Sequence, residues 1–566
     1  MRYTGGEAFV EVLRRQGVKA IFSSPGTEWA PVWETLARLK AQGNEEIQYF
    51  NCRHEELAVS AAIGYAQKGG GVPVVLLHTS AGLLHGSMAI RGAHVERVPM
   101  LVCAGESARF TENDDPERGM ELQWLHLTDV GGTSRMAAPF VKWSQAVTSR
   151  ETLSPTVARA CRMARMAPWG PVFLAVPGEY MQDEREEEMP RIPAPQACSA
   201  PHPADVEWVA ALLRESETPV LITERAGLQP QAVPKLVALA EALALPVFES
   251  KTQFAVNFPK EHPLHAGFDV RAALSEADVV LVVAATIPWD PQRTKFRPGA
   301  KVIFIDDQAL CQQYPFWNYG ADLIMEADPL LALEALVARV QAAGPVSTAR
   351  PERLAKWKAK HDQLLASWDQ GARAAEHNKP IDPDWLCYAI NEWLPPEVIV
   401  VRETITHTPA VTRHLRRTGP GNFYKGNIGG LGSGMGLALG AKIASRNQPV
   451  IHLVGDGSFN YAPVLSALGF SQEYRQPVLT VVFNNGAYRA MQGAHLSLYP
   501  DGWASRTQTF YGVHIAPNPY YAQLLKAFDG YGERVEDPQE IAPALGRAWA
   551  AIQKGRPALL DVILGC

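Results

Sequence analysis

Two apolar runs near the C-terminus each end in a polar cluster. The runs are VIHLV and VLTVVF, and the clusters that follow them are Gly455-Asp456-Gly457-Ser458 and Asn484-Asn485-Gly486. Glycines let a backbone approach a phosphate closely, and the oxygens of Asp456 and Asn485 are of the kind that Mg2+ takes while it bridges phosphates. Because open α/β sheets bind ligands at the carboxyl ends of their strands, the two clusters predict a metal–diphosphate site. The competing interpretation is a pair of ordinary strand-end turns.

Further polar groups follow predicted strands in the first third of the chain. Thr27 and Glu28 come after the run AIFSS, and His78 comes after PVVLL. Glu55 opens a segment of small residues, AVSAAIGYA, that is typical of a closely packed helix. Taken alone, a carboxylate in that position is most often a cap or a partner of the helix dipole. Isolated histidines are more often structural than catalytic, and this applies to His85, His94 and His126.

A glycine-rich stretch at 429–436 has the composition of a dinucleotide-binding loop but not its spacing. Three residues after Gly432 comes Met435, and three after Gly434 comes Leu437, so there is no strict GxGxxG. The NAD interpretation is therefore weak, and close backbone approach to another planar ligand stays open.

The segments that must position these residues alternate between short apolar runs and longer helix-like stretches. The runs include VPVVLLH, VPMLVCAGE, GPVFLAVP, ADVVLVVAA, KVIFIDD, VIVVRE and RPALLDVIL. Buried strands that alternate with helices are the signature of parallel α/β sheets. We therefore expect an α/β fold built on parallel sheets throughout.

Two polar linkers divide the chain into three blocks. The first linker, about 182–204, combines the acidic run DEREEE with several prolines, and the second, about 343–383, contains a charged helix-like stretch. The expected blocks are 1–182, 190–345 and 375–566. The total length of 566 residues agrees with three to four domains at about 150 residues each. The first and last blocks suggest two versions of one sheet.

Composition and charge exclude several classes of protein. With 53 Lys and Arg against 59 Asp and Glu, the net charge of −6 argues against a nucleic acid partner. Apolar runs such as 279–285 are much shorter than the roughly 18 to 20 residues that span a bilayer, and Glu7 and Glu11 interrupt any signal peptide. The 7 cysteines, with no CxxC pair, indicate neither a disulfide framework nor a zinc site. We expect a cytoplasmic protein with no membrane partner.

Together, the motifs resemble those of the thiamine-diphosphate-dependent enzymes, the superfamily of acetolactate synthase, pyruvate decarboxylase and benzoylformate decarboxylase. GDGS with NNG further along is similar to the cofactor motif of that family, and RHE with GYAQ is similar to the segment that carries its activating glutamate. LLHTSAG, FVKWS and GDGSFNY favour the benzoylformate decarboxylase branch. The resemblance covers nearly the whole chain. It implies an N-terminal pyrimidine-binding domain, a central domain and a C-terminal diphosphate-binding domain.

The resemblance implies cofactor roles for residues in the first and last blocks. The side chains of Asp456 and Asn485 and the carbonyl of Ala487 would hold Mg2+ on the diphosphate. Leu431 would support the bent shape of thiamine diphosphate, and Glu55 would be the activating carboxylate at its pyrimidine ring. The other implied cofactor contacts are Thr404, Thr406, His407, Gly430, Gly455, Gly457 and Ser458.

The resemblance also implies an activity, which is decarboxylation of a 2-oxo acid. The product is then either an aldehyde, formed by protonation, or a ligated product, formed with a second carbonyl compound. His78 matches the catalytic histidine of the benzoylformate decarboxylase pattern, and Thr27 matches its substrate-contacting serine, with Glu28 beside it as a second acid. Three residues after NNGAY are expected to line the substrate pocket: Ala490, Met491 and Ala494.

Departures from the family pattern bear on the reaction. The segment Thr286–Asp290 has no histidine where benzoylformate decarboxylase carries a second one, and Ala494 replaces an aromatic residue, so benzoylformate itself is doubtful. ATIPWDP does not resemble the FAD-contacting segment of biosynthetic acetolactate synthases, which argues against bound FAD.

Two alternatives stay open from the sequence. One is an acetolactate-synthase-type carboligase without FAD, and the other is a non-catalytic nucleotide-binding or sensor protein. The resemblance also implies a homodimer or homotetramer, because in this family the activating glutamate and the diphosphate site come from different subunits.

Overall fold

Three parallel sheets, each built from one part of the chain, form the framework of the protein. The computed structural model describes residues 2–107, 127, 129–191, 198–250, 252–312, 314–315, 317–344, 350–416, 419–426, 430–446 and 448–565, so His126 and Gly429 lie outside the described residues. The expected α/β fold is confirmed. The boundaries of the three blocks stay a prediction.

The first sheet has six parallel strands, and a short antiparallel pair, β1 with β8, lies apart from it. Its first helix begins with a capping box, in which Thr4 and Glu7 each accept a hydrogen bond from the other's backbone. The elements are β1 Arg2–Tyr3, α1 Gly5–Arg15, β2 Ala20–Ser24, α2 Ala30–Ala41, β3 Gln48–Asn51, α3 Glu55–Gln67, β4 Val74–Leu77, α4 Thr79–Val95, β5 Met100–Glu106, α5 Thr133–Ala137, β6 Trp143–Ala146, α6 Arg150–Arg165, β7 Pro171–Pro177, α7 Glu179–Gln182 and β8 Arg185–Glu186.

The central sheet has five parallel strands. Strand β11 is buried along its whole length, as expected of a strand with helices on both faces. The elements are α8 Pro203–Glu215, β9 Pro219–Thr223, α9 Ala232–Leu243, β10 Val247–Glu249, α10 Arg271–Glu276, β11 Val279–Val283, β12 Lys301–Asp306, β13 Leu323–Glu326, α11 Pro329–Ala342 and α12 Arg350–Ala374.

The last sheet again has six parallel strands. Its first helix begins after Asp382, whose side chain accepts hydrogen bonds from two backbone N–H groups of the first turn. The elements are α13 Pro383–Trp393, β14 Ile399–Glu403, α14 Thr408–His414, β15 Phe423–Lys425, α15 Gly434–Ser445, β16 Val450–Gly455, α16 Asp456–Tyr461, α17 Val464–Glu473, β17 Leu479–Asn484, α18 Arg489–Leu498, α19 Trp503–Thr507, β18 Tyr531–Val535, α20 Ile541–Gln553 and β19 Ala558–Ile563.

The first and last sheets share one strand order. They run β3-β2-β4-β5-β7-β6 and β15-β14-β16-β17-β19-β18, and the central sheet runs β10-β9-β11-β12-β13. In each sheet the order reverses between its first and third strands along the chain. The crevice outside the carboxyl ends of those two strands is where such sheets bind ligands. The expectation that the first and last blocks are versions of one sheet is confirmed in their topology.

Helix α12 occupies much of the second predicted linker and packs on the central sheet. It is 25 residues long and mostly exposed, but its buried Arg353 donates hydrogen bonds to the backbone carbonyls of Ser216 and Ala244, both at 3.1 Å. Within the described ranges, no helix combines the length and the apolar character that crossing a membrane requires.

Helices α3 and α15 join the first sheet to the last. One hydrophobic core contains buried residues of both helices and of strands from both sheets. A Cβ added at Gly436 would lie 1.9 Å from Ser60 Oγ, and one added at Gly440 would lie 1.8 Å from the carbonyl oxygen of Ala61. Glycine therefore lets the two backbones meet at a distance that no other residue permits.

Replacing Gly440 with alanine is expected to lower the free energy of unfolding. The added methyl group overlaps a backbone oxygen, and overpacking of this kind costs about 1 to 3 kcal/mol, whereas the gain in helix propensity is at most about 1 kcal/mol. The matched control is Gly546→Ala on α20, where an added Cβ meets nothing within 4 Å. Urea unfolding of both variants tests this, and an unchanged midpoint for Gly440→Ala would contradict the close crossing.

Candidate active site

The predicted diphosphate-binding motifs meet at one end of the last sheet. Strands β14, β16 and β17 are neighbours, and the segments that follow or end them are Thr404–His407, Gly455–Ser458 and Asn484–Gly486. Hydrogen bonds join all three segments, as described below. The site lies at the crevice between β14 and β16, the first and third strands of this sheet.

Asp456 links two of these segments through its carboxylate. One oxygen accepts a hydrogen bond from the backbone N–H of Gly457 (2.8 Å), and the other accepts one from that of Gly486 (2.7 Å). Burial raises the pKa of this carboxyl, against the backbone hydrogen bonds, which lower it. A buried carboxylate held only by neutral donors is well suited to a divalent cation.

His407 orients the amide of Asn485. The amide nitrogen lies 3.0 Å from His407 Nε2, and the amide oxygen accepts a hydrogen bond from the backbone N–H of Ala487 (3.0 Å). Burial lowers the pKa of His407 to about 4, so the ring is neutral near pH 7 and Nε2 accepts the amide hydrogen. The third segment is thereby tied to the first.

The donor set at this sheet end fits a magnesium diphosphate. The described residues include no cluster of three or more His, Cys, Asp or Glu that would hold a metal alone. A cation here would complete its shell with ligand oxygens, as Mg2+ does on phosphates. Ser458 is buried, and within the described structure the buried hydroxyl of Thr404 has no hydrogen-bond partner. Thr406, by contrast, is exposed, while Gly430 is buried and Leu431 half-buried.

Glu403 is a residue of this site that sequence reasoning missed. It is the last residue of β14, and its buried carboxylate accepts hydrogen bonds from the backbone N–H groups of Gly432 (2.5 Å), Ser433 (3.2 Å) and Gly434 (2.8 Å). A negative charge is favourable at the N-terminus of a helix, here α15. Glu403 therefore fixes the loop that contains Leu431. The signal in the sequence was the acidic end of VIVVRE, which was interpreted only as part of a strand.

Glu28 and His78 form a pair at the crevice of the first sheet. They follow β2 and β4, the first and third strands of that sheet, and His78 Nδ1 lies 3.0 and 3.1 Å from the two carboxylate oxygens of Glu28. The Glu28 side chain is only 1% exposed and that of His78 is 25% exposed. The hydrogen bond that His78 donates to the Glu28 carboxylate raises the pKa of His78. Glu28, expected as a second acid beside Thr27, instead lies against the histidine.

Two glycines make room for this pair. A Cβ at Gly26 would lie 1.9 Å from His78 Nδ1, and a Cβ at Gly105 would lie 2.2 Å from Glu28 Cγ. Thr27, in the short 3-10 helix Thr27–Trp29, is exposed and does not take part in the pair. The structure therefore places Thr27 at the rim of the crevice and Glu28 inside it.

Glu55 is the first residue of α3 and lies beside two histidines. Its side chain is 16% exposed, and Oε2 lies 3.4 Å from Nδ1 of His85 on α4. The ring of His54, the N-cap of α3, stacks on that of His85 with ring centres 6.0 Å apart. The side chain of His85 is 69% exposed in the single chain, and its expected structural role stays a prediction.

The residues expected to line the substrate pocket lie on the surface of the single chain. Ala490, Met491 and Ala494 are all on α18, which has no buried residue among those described, and Met491 is 54% exposed. Just before α18, the ring of Tyr488 covers Gly457, where an added Cβ would lie 2.6 Å from it. Sequence reasoning did not identify Tyr488 as part of the site.

The two crevices remain separate within one chain. In the described part of the chain, no hydrogen bond or ion pair joins Glu28, Glu55 or His78 to Asp456 or Asn485. The structure thus brings the predicted residues together as two clusters rather than one.

Comparison with known proteins gives the family. Three models match the chain in order: "Thiamine pyrophosphate enzyme, N-terminal TPP binding domain" at residues 3–126, the central domain at 206–336 and the C-terminal TPP binding domain at 405–562. Each matched range lies inside one of the three predicted blocks.

Individual relatives resemble the chain over nearly its full length. Benzoylformate decarboxylase of Pseudomonas aeruginosa is 26% identical over 98% of this chain and 98% of its own. The acetolactate synthase large subunit of Parasynechococcus marenigrum is 26% identical over 99% of this chain and 87% of its own. The solved structure of 4-hydroxybenzoylformate decarboxylase from Rhodococcus jostii RHA1 is 24% identical, covers 100% of this chain and 99% of its own, and has a TM-score of 0.80.

Three observations lead to the same assignment. They are the three family models in chain order, the two sheets of one topology and the site whose donors fit a diphosphate. The similarity to decarboxylases extends over whole chains rather than over single motifs. The chain accordingly belongs to the thiamine pyrophosphate enzymes, and within that family it is a decarboxylase-like enzyme.

Proposed function

We propose that the protein decarboxylates a 2-oxo acid to an aldehyde, using thiamine diphosphate and Mg2+. The observation that carries this proposal is the half-buried imidazole of His78 at the crevice of the first sheet, whose pKa is raised by its hydrogen bond to the buried carboxylate of Glu28. An acid is what a decarboxylase needs to protonate its product carbon. The benzoylformate decarboxylase relative supports the same reaction class.

The residues of the last sheet would hold the cofactor through its diphosphate. Asp456, Asn485 and the carbonyl of Ala487 would bind Mg2+, with Thr404 and Ser458 donating to phosphate oxygens. The remaining backbone contacts would come from Gly430, Gly455 and Gly457, and Leu431 would touch the rings. When bound, thiamine diphosphate supplies a nucleophilic carbon and an electron sink for the bond next to a carbonyl.

The residues of the first sheet would place protons. Glu55, largely buried at the start of α3, would hold a proton at the pyrimidine ring of the cofactor. His78 would deliver a proton to the product carbon, and Glu28 would keep the imidazole charged and oriented for that step. Thr27, exposed at the rim, would contact the carboxylate of the substrate. Three residues of α18 would line the pocket, namely Ala490, Met491 and Ala494.

A second copy of the chain would complete the site. The two clusters lie apart in one chain, and several large apolar side chains on and after α18 are exposed, including Leu498 by 73% and Trp503 by 79%. Exposed apolar surface of this extent marks interaction sites. We therefore propose a homodimer or homotetramer, which light scattering of the purified protein measures directly.

The distribution of cysteines supports a cytoplasmic location.

The central domain would not bind FAD, because its own side chains fill its crevice. Glu224 accepts hydrogen bonds from the backbone N–H groups of Thr286 (2.6 Å) and Ile287 (3.4 Å). Arg225 donates to Thr286 Oγ1 (2.7 Å) and pairs with Asp306 (2.5 Å). Glu224, Arg225 and Asp306 are buried, and with Thr286 they follow or end β9, β11 and β12. These polar groups bind one another at the strand ends, which argues against their binding a flavin nucleotide.

Purified protein with thiamine diphosphate and Mg2+ is expected to convert 2-oxo acids to aldehydes. The experiment incubates it with a panel of aliphatic and aromatic 2-oxo acids, pyruvate and benzoylformate included, and identifies products by mass. Aldehydes without new carbon–carbon bonds support the proposal. Acetolactate from pyruvate would favour the alternative, an acetolactate-synthase-type carboligase without FAD, which the acetolactate synthase relative supports.

Replacing Asp456 with alanine is expected to weaken binding of thiamine diphosphate at least about tenfold in the presence of Mg2+, because the site loses its one metal-binding carboxylate. Removal of Mg2+ with a chelator should have a similar effect on the wild type. Isothermal titration measures both, and Asp362→Ala, at an exposed position on α12, is the matched control. Unchanged affinity for thiamine diphosphate in Asp456→Ala would contradict the metal site. The same method tests the central domain: binding heat when FAD is titrated into the protein would contradict the proposal that this domain does not bind FAD.

Replacing Glu28 with glutamine is expected to shift the pH profile of turnover. The hydrogen bond to the Glu28 carboxylate raises the pKa of His78, so loss of the carboxylate lowers that pKa. Because the protonated imidazole is the active form, the alkaline limb of the profile moves to lower pH. To test this, product formation is measured from about pH 5.5 to about pH 9, a range that includes the ordinary pKa of histidine. If the alkaline limb of the Glu28→Gln profile does not move, His78 is not the group that donates the proton.

A further inference from the structure

We propose that the carboxylate of Glu403 is the internal anion of the glycine-rich loop 430–434 and that, through this loop, it positions Leu431 for the cofactor. The proposal rests on the role proposed above for Leu431, which is to touch the rings of thiamine diphosphate. Glu403 acts through the loop, so it is a positioning residue rather than a catalytic residue.

The loop has the construction of an anion-binding site. It leads into α15, which is 12 residues long, and its successive backbone N–H groups at Gly432, Ser433 and Gly434 converge on one place. In nucleotide-binding proteins, N–H groups of a glycine-rich loop at a helix N-terminus bind a phosphate. Here the two oxygens of Glu403 accept all three hydrogen bonds, at 2.5 to 3.2 Å. The protein's own carboxylate therefore occupies the place of a phosphate.

The hydrogen bonds from the loop are what satisfies this buried carboxylate. Glu403 is 5% exposed within one chain, and a second copy can only bury it further. Its ion-pair partner among the described residues is His452, whose Nε2 lies 3.8 Å from Oε2, beyond hydrogen-bond distance. Neither ring nitrogen of His452 has a hydrogen-bond partner in the described part of the chain. A buried carboxylate needs donors, and the backbone of the loop provides them.

Two glycines hold the loop against its neighbours on both sides. A Cβ added at Gly434 would lie 2.5 Å from Oε2 of Glu403. Gly432 has a φ of +100°, and a Cβ added there would lie 2.5 Å from the carbonyl oxygen of Tyr461, the last residue of α16. The loop is therefore fixed between the end of β14 and the end of α16.

Leu431 lies directly before the first N–H group that Glu403 binds. The hydrogen bond to Gly432 N–H fixes the planar peptide unit that joins Leu431 to Gly432. The Leu431 side chain is half-buried, so it is held in place without being covered completely. A loop that is already ordered in its binding conformation does not lose further freedom when the ligand binds. Glu403 would thus raise the affinity for the ring half of the cofactor.

The diphosphate half of the site is held by a separate set of hydrogen bonds. Asp456 accepts from the N–H groups of Gly457 and Gly486, and among the described residues it shares no printed partner with Glu403. Loss of the Glu403 carboxylate should therefore act on binding of the rings and leave binding of a diphosphate unchanged.

The first experiment uses cofactor-free protein. Hydrogen exchange of peptides spanning 430–437 is followed by mass spectrometry in the wild type and in Glu403→Gln, whose NH2 group cannot accept a hydrogen bond from the loop. Exchange at 432–434 should become at least about tenfold faster, because hydrogen bonds to a charged acceptor are the stronger ones. Peptides from α20 are the control. Fast exchange at 432–434 in the wild type, or unchanged exchange in the variant, overturns the proposal.

The second experiment compares two ligands by titration calorimetry in the presence of Mg2+. Glu403→Gln should bind thiamine diphosphate at least about tenfold more weakly, because the loop is no longer ordered in advance, and should bind inorganic pyrophosphate as the wild type does. The matched control is Glu249→Gln, which also removes a buried carboxylate from the last residue of a strand, β10, and should change neither affinity. Equal losses for both ligands in Glu403→Gln would show general damage and overturn the proposal.

A double variant tests whether Glu403 acts through Leu431. Leu431→Ala should weaken binding of thiamine diphosphate, and adding Glu403→Gln to it should weaken binding little further, since residues that act through one contact are not additive. Additive losses overturn the proposed route.

The third experiment replaces the missing carboxylate. Glu403→Ala leaves three N–H groups without an acceptor, and formate is a carboxylate small enough to take the place of the removed group. Added formate should slow exchange at 432–434 and restore affinity for thiamine diphosphate in a concentration-dependent way, whereas chloride at equal ionic strength should do neither. No recovery in formate, or equal recovery in chloride, overturns the assignment of the carboxylate as the anion of the loop.

Failure of the proposed function would be recognised separately. If the wild type bound neither thiamine diphosphate nor pyrophosphate, the proposed function would fail. Hydrogen exchange in cofactor-free protein would still decide whether Glu403 holds the loop.

Discussion

The close crossing of α3 and α15 is the contact on which the arrangement of this enzyme depends. Small residues on both helices bring two backbones within reach of each other's carbonyl oxygens, and they merge the cores of the first and last sheets into one. Glu55 begins α3, and the loop with Leu431 leads into α15. Because the interface is backbone against backbone, it cannot be adjusted by side-chain rotation. A shift at the crossing would displace the activating carboxylate and the cofactor loop together.

Three sheets of similar construction use their crevices in three ways. The last sheet presents neutral donors around the buried carboxylate of Asp456, a set that is well suited to a cation and phosphate oxygens. The first sheet presents a carboxylate–imidazole pair, Glu28 with His78, in which the pKa of the imidazole is raised. The central sheet closes its crevice with an internal ion pair between Arg225 and Asp306, which Arg97 from the first sheet's region joins. The fold alone therefore does not determine what each crevice does; the residues at the strand ends do.

The sequence predicted features that depend on neighbouring residues in the chain, and it missed contacts between residues that are far apart in sequence. The α/β class, the strand ends and the placement of Asp456 and Asn485 follow from hydrophobic runs and neighbouring polar residues. The pairing of Glu28 with His78 could not be predicted, because 50 residues separate them and only the adjacency of β2 and β4 brings them together. Glu403 was missed for the same reason: its partners are backbone N–H groups 29 to 31 residues away in sequence, beyond α14 and β15. The exposure of His85 depends on which face of α4 it occupies, and the mixed sequence of that helix gives no clear periodicity.

The two neighbouring carboxyls at the start of α3 show how burial divides their roles. Glu56 is packed between α3 and α4, and burial raises its pKa to about 8, so near pH 7 it is mainly neutral. Glu55 is less buried, with 16% of its side chain exposed, and its Oε2 lies 3.4 Å from Nδ1 of His85. The negative charge of Glu403 adds to the effect of burial in raising the pKa of Glu56. Burial of Glu56 thus removes one charge from the first turn of α3, where Glu55 begins the helix. A glutamate pair that sequence alone shows as equivalent is made unequal by the packing of one helix against the next.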